Sequence, residues 1–227
     1  MIFPIGDDQV KGGSYPLFSY LFIGLNTLIF LYEANLSDAA LNQFILEYGS
    51  IPAETMNGED FHTLFSSMFL HGGWMHLIGN MLFLWVFADN IEQVIGNFNF
   101  IIFYIAGGLA AHGAHIFFNI DSMIPTVGAS GAISAILGAY LVMLPSSKIK
   151  ILVLFIFSSF RISAFLFLGF WIFQQLISGF DAIGPETTDS SGVAWWAHIG
   201  GFAFGVVGGF YYRRLETEKL ARFRQNI

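Results

Sequence analysis

Six stretches of the sequence contain no Asp, Glu, Lys or Arg, and this pattern limits most strongly what the chain can fold into. They cover residues 12–32, 61–88, 93–120, 122–147, 162–180 and 190–212. Each can hold a helix of roughly 20 residues, the length that crosses the hydrocarbon core of a bilayer. Only 11% of the residues are charged and the mean hydropathy is +0.65, which excludes a soluble globular domain. The sequence therefore predicts an all-α membrane protein.

These stretches predict six membrane-spanning helices. They are placed at 16–33, 73–90, 98–119, 128–145, 161–180 and 194–212. The start of the fifth helix depends on Arg161, because an arginine in the middle of a bilayer costs at least ~2.5 kcal/mol. We therefore begin this helix at Arg161 and expect residues 151–160 to lie along the inner interface or under the bundle.

The basic residues indicate how the predicted domain is oriented. If the N-terminus lies inside, all nine Lys and Arg fall on the inner side: Lys11, Lys148, Lys150, Arg161, Arg213, Arg214, Lys219, Arg222 and Arg224. Cytoplasmic loops of membrane proteins carry this excess of positive charge. We therefore expect a multi-pass protein of the cell membrane, favouring a bacterial inner membrane, with both termini cytoplasmic. Its parts are an N-terminal segment at 1–15, a six-helix membrane domain at 16–212 with a long outer loop at 34–72, and a basic tail at 213–227.

Several kinds of site and partner are not expected from this sequence. The chain contains no cysteine, which excludes a cysteine nucleophile and thiolate metal sites. It has no basic patch with interleaved aromatic residues, so the bilayer and not nucleic acid is the expected partner. His112 and His115 are spaced i, i+3 and invite a metal site, but two imidazoles without a nearby third ligand favour packing. We expect no metal and no other cofactor.

Four polar residues lie near the outer ends of three predicted spans. His76 and Asn80 are in the second span, Ser130 is in the fourth and His198 is in the sixth. His76 and Asn80 are spaced i, i+4 and share one helical face. Polar groups inside a membrane are costly and usually face a cavity or a partner. Three segments are thus predicted to deliver a hydroxyl, two imidazoles and an amide to a similar depth.

This set of groups has the parts of a serine hydrolase, although helix packing among small residues is the alternative for Ser130 alone. A serine becomes a nucleophile when a histidine takes its proton. An Asn amide, a His N–H and the backbone N–H of a serine at a helix N-terminus are suitable donors to an oxyanion. No Asp or Glu lies near His198 at the matching depth, so we predict a Ser–His dyad. Gly201, Gly205 and Gly209 repeat every four residues, and His198 lies on nearly the same face as Gly201 and Gly205, so this strip would press His198 toward the fourth helix.

Three motifs together resemble the rhomboid intramembrane serine proteases. They are HGGWMHLIGN at 71–80, GASGA at 128–132 and AHIGGFAFG at 197–205. The resemblance covers most of the chain and implies a rhomboid-like bundle of six transmembrane helices with a long outer first loop. Some members carry an aromatic residue one turn after the serine, stacked on the catalytic imidazole. Ser134 stands at that position here, so the sequence does not indicate what holds His198.

The resemblance also implies a role for each candidate residue. Ser130 is the expected nucleophile and His198 the expected general base. The Ser130 N–H and the side chains of His76 and Asn80 would form the oxyanion hole, and His71 would brace the loop.

The sequence thus predicts an intramembrane serine endopeptidase that cleaves single-span membrane proteins near the outer membrane face. Good substrates would carry helix breakers near the outer end of their span and a small residue before the cut. One alternative is a catalytically inactive rhomboid-like protein that binds membrane segments. Another is a small transporter or channel, which would normally show inverted repeats or helices broken at mid-membrane.

Overall fold

The computed structural model describes residues 2–10, 13–153, 158–182 and 193–225, with side chains up to Leu215. The helices are α1 (Leu17–Glu33), α2 (Asp38–Tyr48), α3 (Pro52–Met56), α4 (Thr63–Ser66), α5 (Trp74–Phe83), α6 (Asp89–Ile95), α7 (Asn97–Phe118), α8 (Ser130–Met143), α9 (Ala164–Asp181) and α10 (Trp195–Gln225). The strands are β1 (Ile2–Gly6), β2 (Lys148–Val153) and β3 (Ser158–Ser163). Lys11 and the side chains of Lys219, Arg222 and Arg224, which entered the orientation argument, lie outside this description.

Helices occupy the predicted apolar stretches, and most begin close to their predicted starts. The second stretch is filled by α5, a single π-helical turn (Leu84–Ala88) and α6, which follow one another without a break. Helices α7 and α9 are long and apolar enough to cross a bilayer, whereas α1 and α8 are apolar but shorter. The mostly helical architecture agrees with the prediction, and the loop at 34–72 contains the short helices α2, α3 and α4.

The predicted start of the fifth helix at Arg161 is wrong. Residues 158–163 instead form β3, which pairs with β2, and β2 pairs in turn with β1 in an antiparallel sheet. Arg161 lies on an exposed strand with its guanidinium 3.0 Å from the Asp8 carboxylate. Helix α9 begins only at Ala164, where the Ser163 hydroxyl accepts a hydrogen bond from the Leu166 N–H (3.4 Å) and caps the helix.

The sheet departs from the predicted all-α fold, and it takes in residues of the stretch 151–160 that we expect along the inner interface or under the bundle. Residues 151–153 belong to β2 and residues 158–160 to β3, while 154–157 lie outside the described ranges. Lys148 and Lys150 alternate with the buried Ile149 and Ile151, as expected for a strand with one face packed against the helices.

The residues after β1 are fixed to the helix ends beside the sheet. The Asp7 carboxylate accepts hydrogen bonds from the Tyr140 hydroxyl and the Asn90 amide. The Val10 N–H donates to the Asn90 side-chain oxygen over 2.7 Å, and Asp8 accepts from the Lys148 N–H over 2.9 Å. Residues 7–10 are therefore held against the helices and the sheet.

The attachment of this segment is expected to depend on pH. Burial raises the pKa of Asp7 from 3.8 to about 6, against the lowering effect of the hydrogen bond from Tyr140, while the nearby Asp89 raises it further. The folded state therefore binds the proton more tightly than the unfolded state, so stability falls as pH rises from about 4 to about 6 and stays lower above that window. Asp7→Asn, which mimics the protonated side chain, should raise the melting temperature at pH 7.5 and weaken its dependence on pH across this window.

Scanning fluorimetry of both proteins in detergent, at pH values from 4 to 8, measures the effect; Asp38→Asn on the loop helix α2 is the matched control. Equal pH dependence of the melting temperature in wild type and Asp7→Asn would contradict this account.

Glu92 caps the first turn of α1. Its carboxylate is fully buried and accepts hydrogen bonds from the Phe18 N–H (2.9 Å), the Ser19 N–H (2.7 Å) and the Ser19 hydroxyl (2.7 Å). These N–H groups belong to the first turn of α1, and first-turn N–H groups have no hydrogen-bond acceptor within their own helix. The negative charge also lies at the positive end of the helix dipole.

Helix α8 forms the centre of the bundle, and glycines on α10 allow α10 to pack closely against α8. A Cβ atom added to Gly201 or Gly205 would overlap the carbonyl oxygen of Gly131 or Ala135, and one added to Gly209 would lie 3.0 Å from the Ala139 Cα. These glycines therefore face α8, as the sequence predicts. This backbone-to-backbone packing is the kind that small residues permit in membranes.

Replacing Gly205 by Ala should destabilise the fold, because the new methyl group meets rigid backbone. We expect the free energy of unfolding to fall by about 1–3 kcal/mol, the usual cost of overpacking. The matched control is Gly113→Ala on α7, where an added Cβ has no neighbour within 4 Å. That substitution should be neutral or stabilising by up to ~1 kcal/mol. Thermal unfolding in one detergent measures both, and equal melting temperatures would contradict the packing argument.

Candidate active site

The segment that precedes α8 is held at several points, so that Ser130 begins its helix in a fixed position. Thr126 forms a β-bridge with Ser50, and the Gly128 N–H donates to the Ser67 carbonyl oxygen over 2.8 Å. Gly128 has a φ of +127°, a conformation that a residue with a side chain rarely adopts. A Cβ there would also lie 2.7 Å from Nε2 of His76. Glycine is thus required at this position both by the backbone and by its neighbour.

Ser130 and His198 meet where α8 and α10 begin. Nε2 of His198 lies 2.9 Å from Oγ of Ser130, within hydrogen-bond distance. The packing of Gly201 and Gly205 against α8 brings the first turns of the two helices together. The structure therefore brings together the two residues that the sequence predicts as nucleophile and base, with the geometry that such a pair requires.

His76 and Asn80 lie on α5 on the other side of Gly128. The Gly72 N–H points to Nδ1 of His76 over 3.4 Å, so this nitrogen is the acceptor and the ring proton lies on Nε2. That proton faces Gly128, beside Ser130. The Asn80 side-chain nitrogen is also near Gly128, since it would lie 3.6 Å from a Cβ atom added to this glycine. Both side chains that are predicted oxyanion donors are thus close to the turn that presents the serine.

His71 connects Asn80 to α1 through hydrogen bonds. Its ring nitrogen Nε2 accepts a hydrogen bond from the Asn80 amide over 3.0 Å. Its backbone N–H points to the Glu33 carboxylate, with oxygen distances of 3.2 and 3.4 Å. His71 is 2% exposed. It therefore lies between the last residue of α1 and Asn80, in a position suited to the predicted bracing role.

Gln175 is a further residue of the site, and the sequence does not single it out. Nδ1 of His198 lies 2.7 Å from the Gln175 side-chain oxygen, and Gln175 on α9 is buried. Ser134, which occupies the position of the expected aromatic residue, instead donates its hydroxyl to the Ser130 carbonyl oxygen over 2.7 Å. An uncharged amide in an otherwise apolar span was the available signal, because such residues usually face a partner.

His112 and His115 are bonded separately to two hydroxyl groups. Nε2 of His112 lies 3.1 Å from the Ser67 hydroxyl, and Nε2 of His115 lies 3.0 Å from the Thr126 hydroxyl. Within the described ranges, no three His, Asp or Glu side chains are grouped to hold a metal ion. Both imidazoles thus connect α7 to the segments around Ser130.

The motifs around this site belong to a described domain. A family model described as the Rhomboid domain matches residues 58–215, which include every candidate residue above. The chain belongs to the rhomboid family. Since rhomboids are membrane proteins, this rhomboid chain is a membrane protein as well.

Several rhomboids are similar to this chain. Rhomboid protease GluP of Bacillus subtilis is 31% identical over 197 residues, covering 86% of this chain and 34% of GluP. Presenilin-associated rhomboid-like protein A, mitochondrial, of Danio rerio is 28% identical over 142 residues, covering 62% and 34%. Rhomboid protein 1, mitochondrial, of Saccharomyces cerevisiae is 26% identical over 164 residues, covering 70% and 44%. The chain thus spans less than half the length of these relatives.

Proposed function

We propose that this rhomboid is an intramembrane serine endopeptidase with Ser130 as nucleophile and His198 as general base. The 2.9 Å distance between Ser130 Oγ and His198 Nε2 carries the proposal. The relative named rhomboid protease GluP supports it. An inactive relative that only binds membrane segments would not need this pair aligned.

The proposed reaction follows from the hydrogen-bond donors and acceptors at the site. Nε2 of His198 takes the proton of Ser130 as Oγ attacks the scissile carbonyl carbon. The negative charge on the carbonyl oxygen is met by the Ser130 N–H, the His76 Nε2–H and the Asn80 amide. His198 then gives the proton to the leaving nitrogen, and water hydrolyses the acyl-enzyme by the same steps. The N–H groups of the first turn of α8 form the positive end of the helix dipole, which favours this negative charge.

The proposed topology places this site near the outer membrane face. Helix α1, the segment containing α5 and α6, and helices α7 to α10 would be the six spans, with the sheet and both termini in the cytoplasm of a bacterial cell. All nine Lys and Arg of the chain are then inside. The site lies at the end of the bundle away from the sheet, so water can reach Ser130 from the outer side.

The expected substrates are single-span membrane proteins. A substrate helix satisfies its own backbone hydrogen bonds, so the scissile bond is exposed only after the helix unwinds, which Gly and Pro favour. A narrow cavity beside Ser130 is lined mostly by small residues, among them Gly131, Ala132, Ala194 and Ala197. This lining supports a small residue before the cut.

A cleavage assay and a labelling assay test the proposal together. The purified protein in detergent is incubated with a model single-span substrate, and mass spectrometry locates the cut. We expect a cut near the outer end of the span that is lost when the helix breakers become Leu, and fluorophosphonate labelling of Ser130. Binding without cleavage or labelling would favour the inactive relative. A cut on the cytoplasmic side would overturn the topology.

A further inference from the structure

We propose that Gln175 is a positioning residue that fixes the tautomer and the orientation of His198. The proposal rests on the proposed function, because it assigns Gln175 a task only if His198 is the base. Two observations support it. His198 Nδ1 and the Gln175 side-chain oxygen are joined by a 2.7 Å hydrogen bond, and Gln175 is buried, with 5% of its surface exposed. The three side chains form a row from Gln175 through His198 to Ser130.

The hydrogen bond determines which ring nitrogen of His198 carries the proton. An amide oxygen only accepts, so Nδ1 must donate to it and hold the ring proton. Nε2 then has a free lone pair directed at the Ser130 hydroxyl, which is the form that a general base requires. Without a partner at Nδ1, the neutral ring divides between two tautomers, and one of them turns an N–H toward the serine.

An amide performs this task at lower cost than a carboxylate in this position. Gln175 lies within the apolar helix α9, where an uncompensated buried carboxylate is costly. The amide orients the imidazole without adding charge, although it stabilises an imidazolium less than a carboxylate would. The predicted dyad is thus extended by a neutral third member.

Two tryptophans complete the support of the His198 ring. The Trp171 ring centroid lies 5.9 Å from that of His198 with an interplanar angle of 36°, and the Trp195 centroid lies 6.3 Å away at 90°. Trp171 is on α9, one turn before Gln175, and Trp195 is on α10, one turn before His198. These residues replace the aromatic support that Ser134 does not provide.

The decisive variant is Gln175→Met, which keeps the length of the side chain and removes the amide oxygen. We expect kcat to fall roughly 10- to 100-fold, as for a slightly misplaced catalytic group, with little change in KM. Gln175→Glu keeps an acceptor oxygen and should recover at least part of kcat. The matched control is Gln174→Met, since Gln174 is the exposed neighbour on the same helix and should retain wild-type kcat.

A spectroscopic measurement separates positioning from mere packing. In protein labelled with ¹⁵N-histidine, His198, assigned by its loss in His198→Ala, should show a protonated Nδ1 and an unprotonated Nε2 above the pH at which the ring loses its charge. In Gln175→Met the two tautomers should become mixed. Wild-type kcat in Gln175→Met, or an Nε2-protonated ring in the wild type, would overturn the proposal. If the wild type cleaves nothing, the proposed function fails instead, while the tautomer of His198 still tests Gln175.

Discussion

Ser130→Ala and His198→Ala are each expected to lower the rate of substrate cleavage by roughly 10⁴-fold or more, as knockouts of a serine nucleophile or its base do. The double variant should be no slower than either single variant, because in the proposed mechanism Ser130 supplies the attacking oxygen and His198 acts only by moving its proton. Initial rates on a single-span model substrate, measured with enough enzyme to detect slow turnover, test this expectation.

Two controls make the result specific. Ser134→Ala removes a hydroxyl one turn further along α8 that donates to the Ser130 carbonyl oxygen, and it should keep most of the activity. A chelator should have no effect, whereas sensitivity to EDTA would reopen the metal interpretation of His112 and His115. Substantial cleavage by Ser130→Ala at unchanged protein purity would exclude the serine mechanism.

Asn80→Ala is expected to produce the next largest loss. Removal of one oxyanion donor typically lowers kcat by ~10²–10³-fold, and KM should change little because the donor acts mainly on the transition state. Steady-state kinetics on the same substrate provide both values. Since the Asn80 amide also donates to His71, the loss must be separated from damage to the loop.

His71→Ala provides that separation. It removes the ring that accepts from Asn80 but leaves the backbone N–H that points to Glu33. If Asn80 acts as an oxyanion donor, His71→Ala should reduce kcat far less than Asn80→Ala does. Equal losses in the two variants would mean that Asn80 serves only to hold His71, and wild-type kcat in Asn80→Ala would make it a packing residue.

The helices and the four polar positions of the site were predictable because both leave local signals. Uninterrupted apolar stretches indicate the helices, and a serine or histidine among glycines at a helix start is conspicuous in such stretches. The spacing of His76 and Asn80 indicates a shared face without reference to any other segment.

The sheet and Gln175 were missed for different reasons. Lys148 and Lys150 alternate with Ile149 and Ile151, which is a strand signal, but it adjoins an apolar run that also fits the start of a helix. The pairing of β1 with β2 joins residues far apart in the chain, and no local pattern indicates such a contact. Gln175 meets His198 only because α9 packs beside α10, which neither helix specifies alone.

The π turn between α5 and α6 determines which neighbours the side chains of one continuous helix can contact. Asn80 contacts His71, which joins the last residue of α1, while Glu92 caps the first turn of α1. On an ideal α-helix, twelve residues would separate the directions of these two side chains by about 120°. The wide turn at Leu84–Ala88 accommodates one extra residue and so reduces this angle by about the rotation of one residue. The side chains at both ends of the helix can therefore face the same antiparallel neighbour, α1. The extra residue thus acts as a phase correction between the end of the helix that carries Asn80 and the end that carries Glu92.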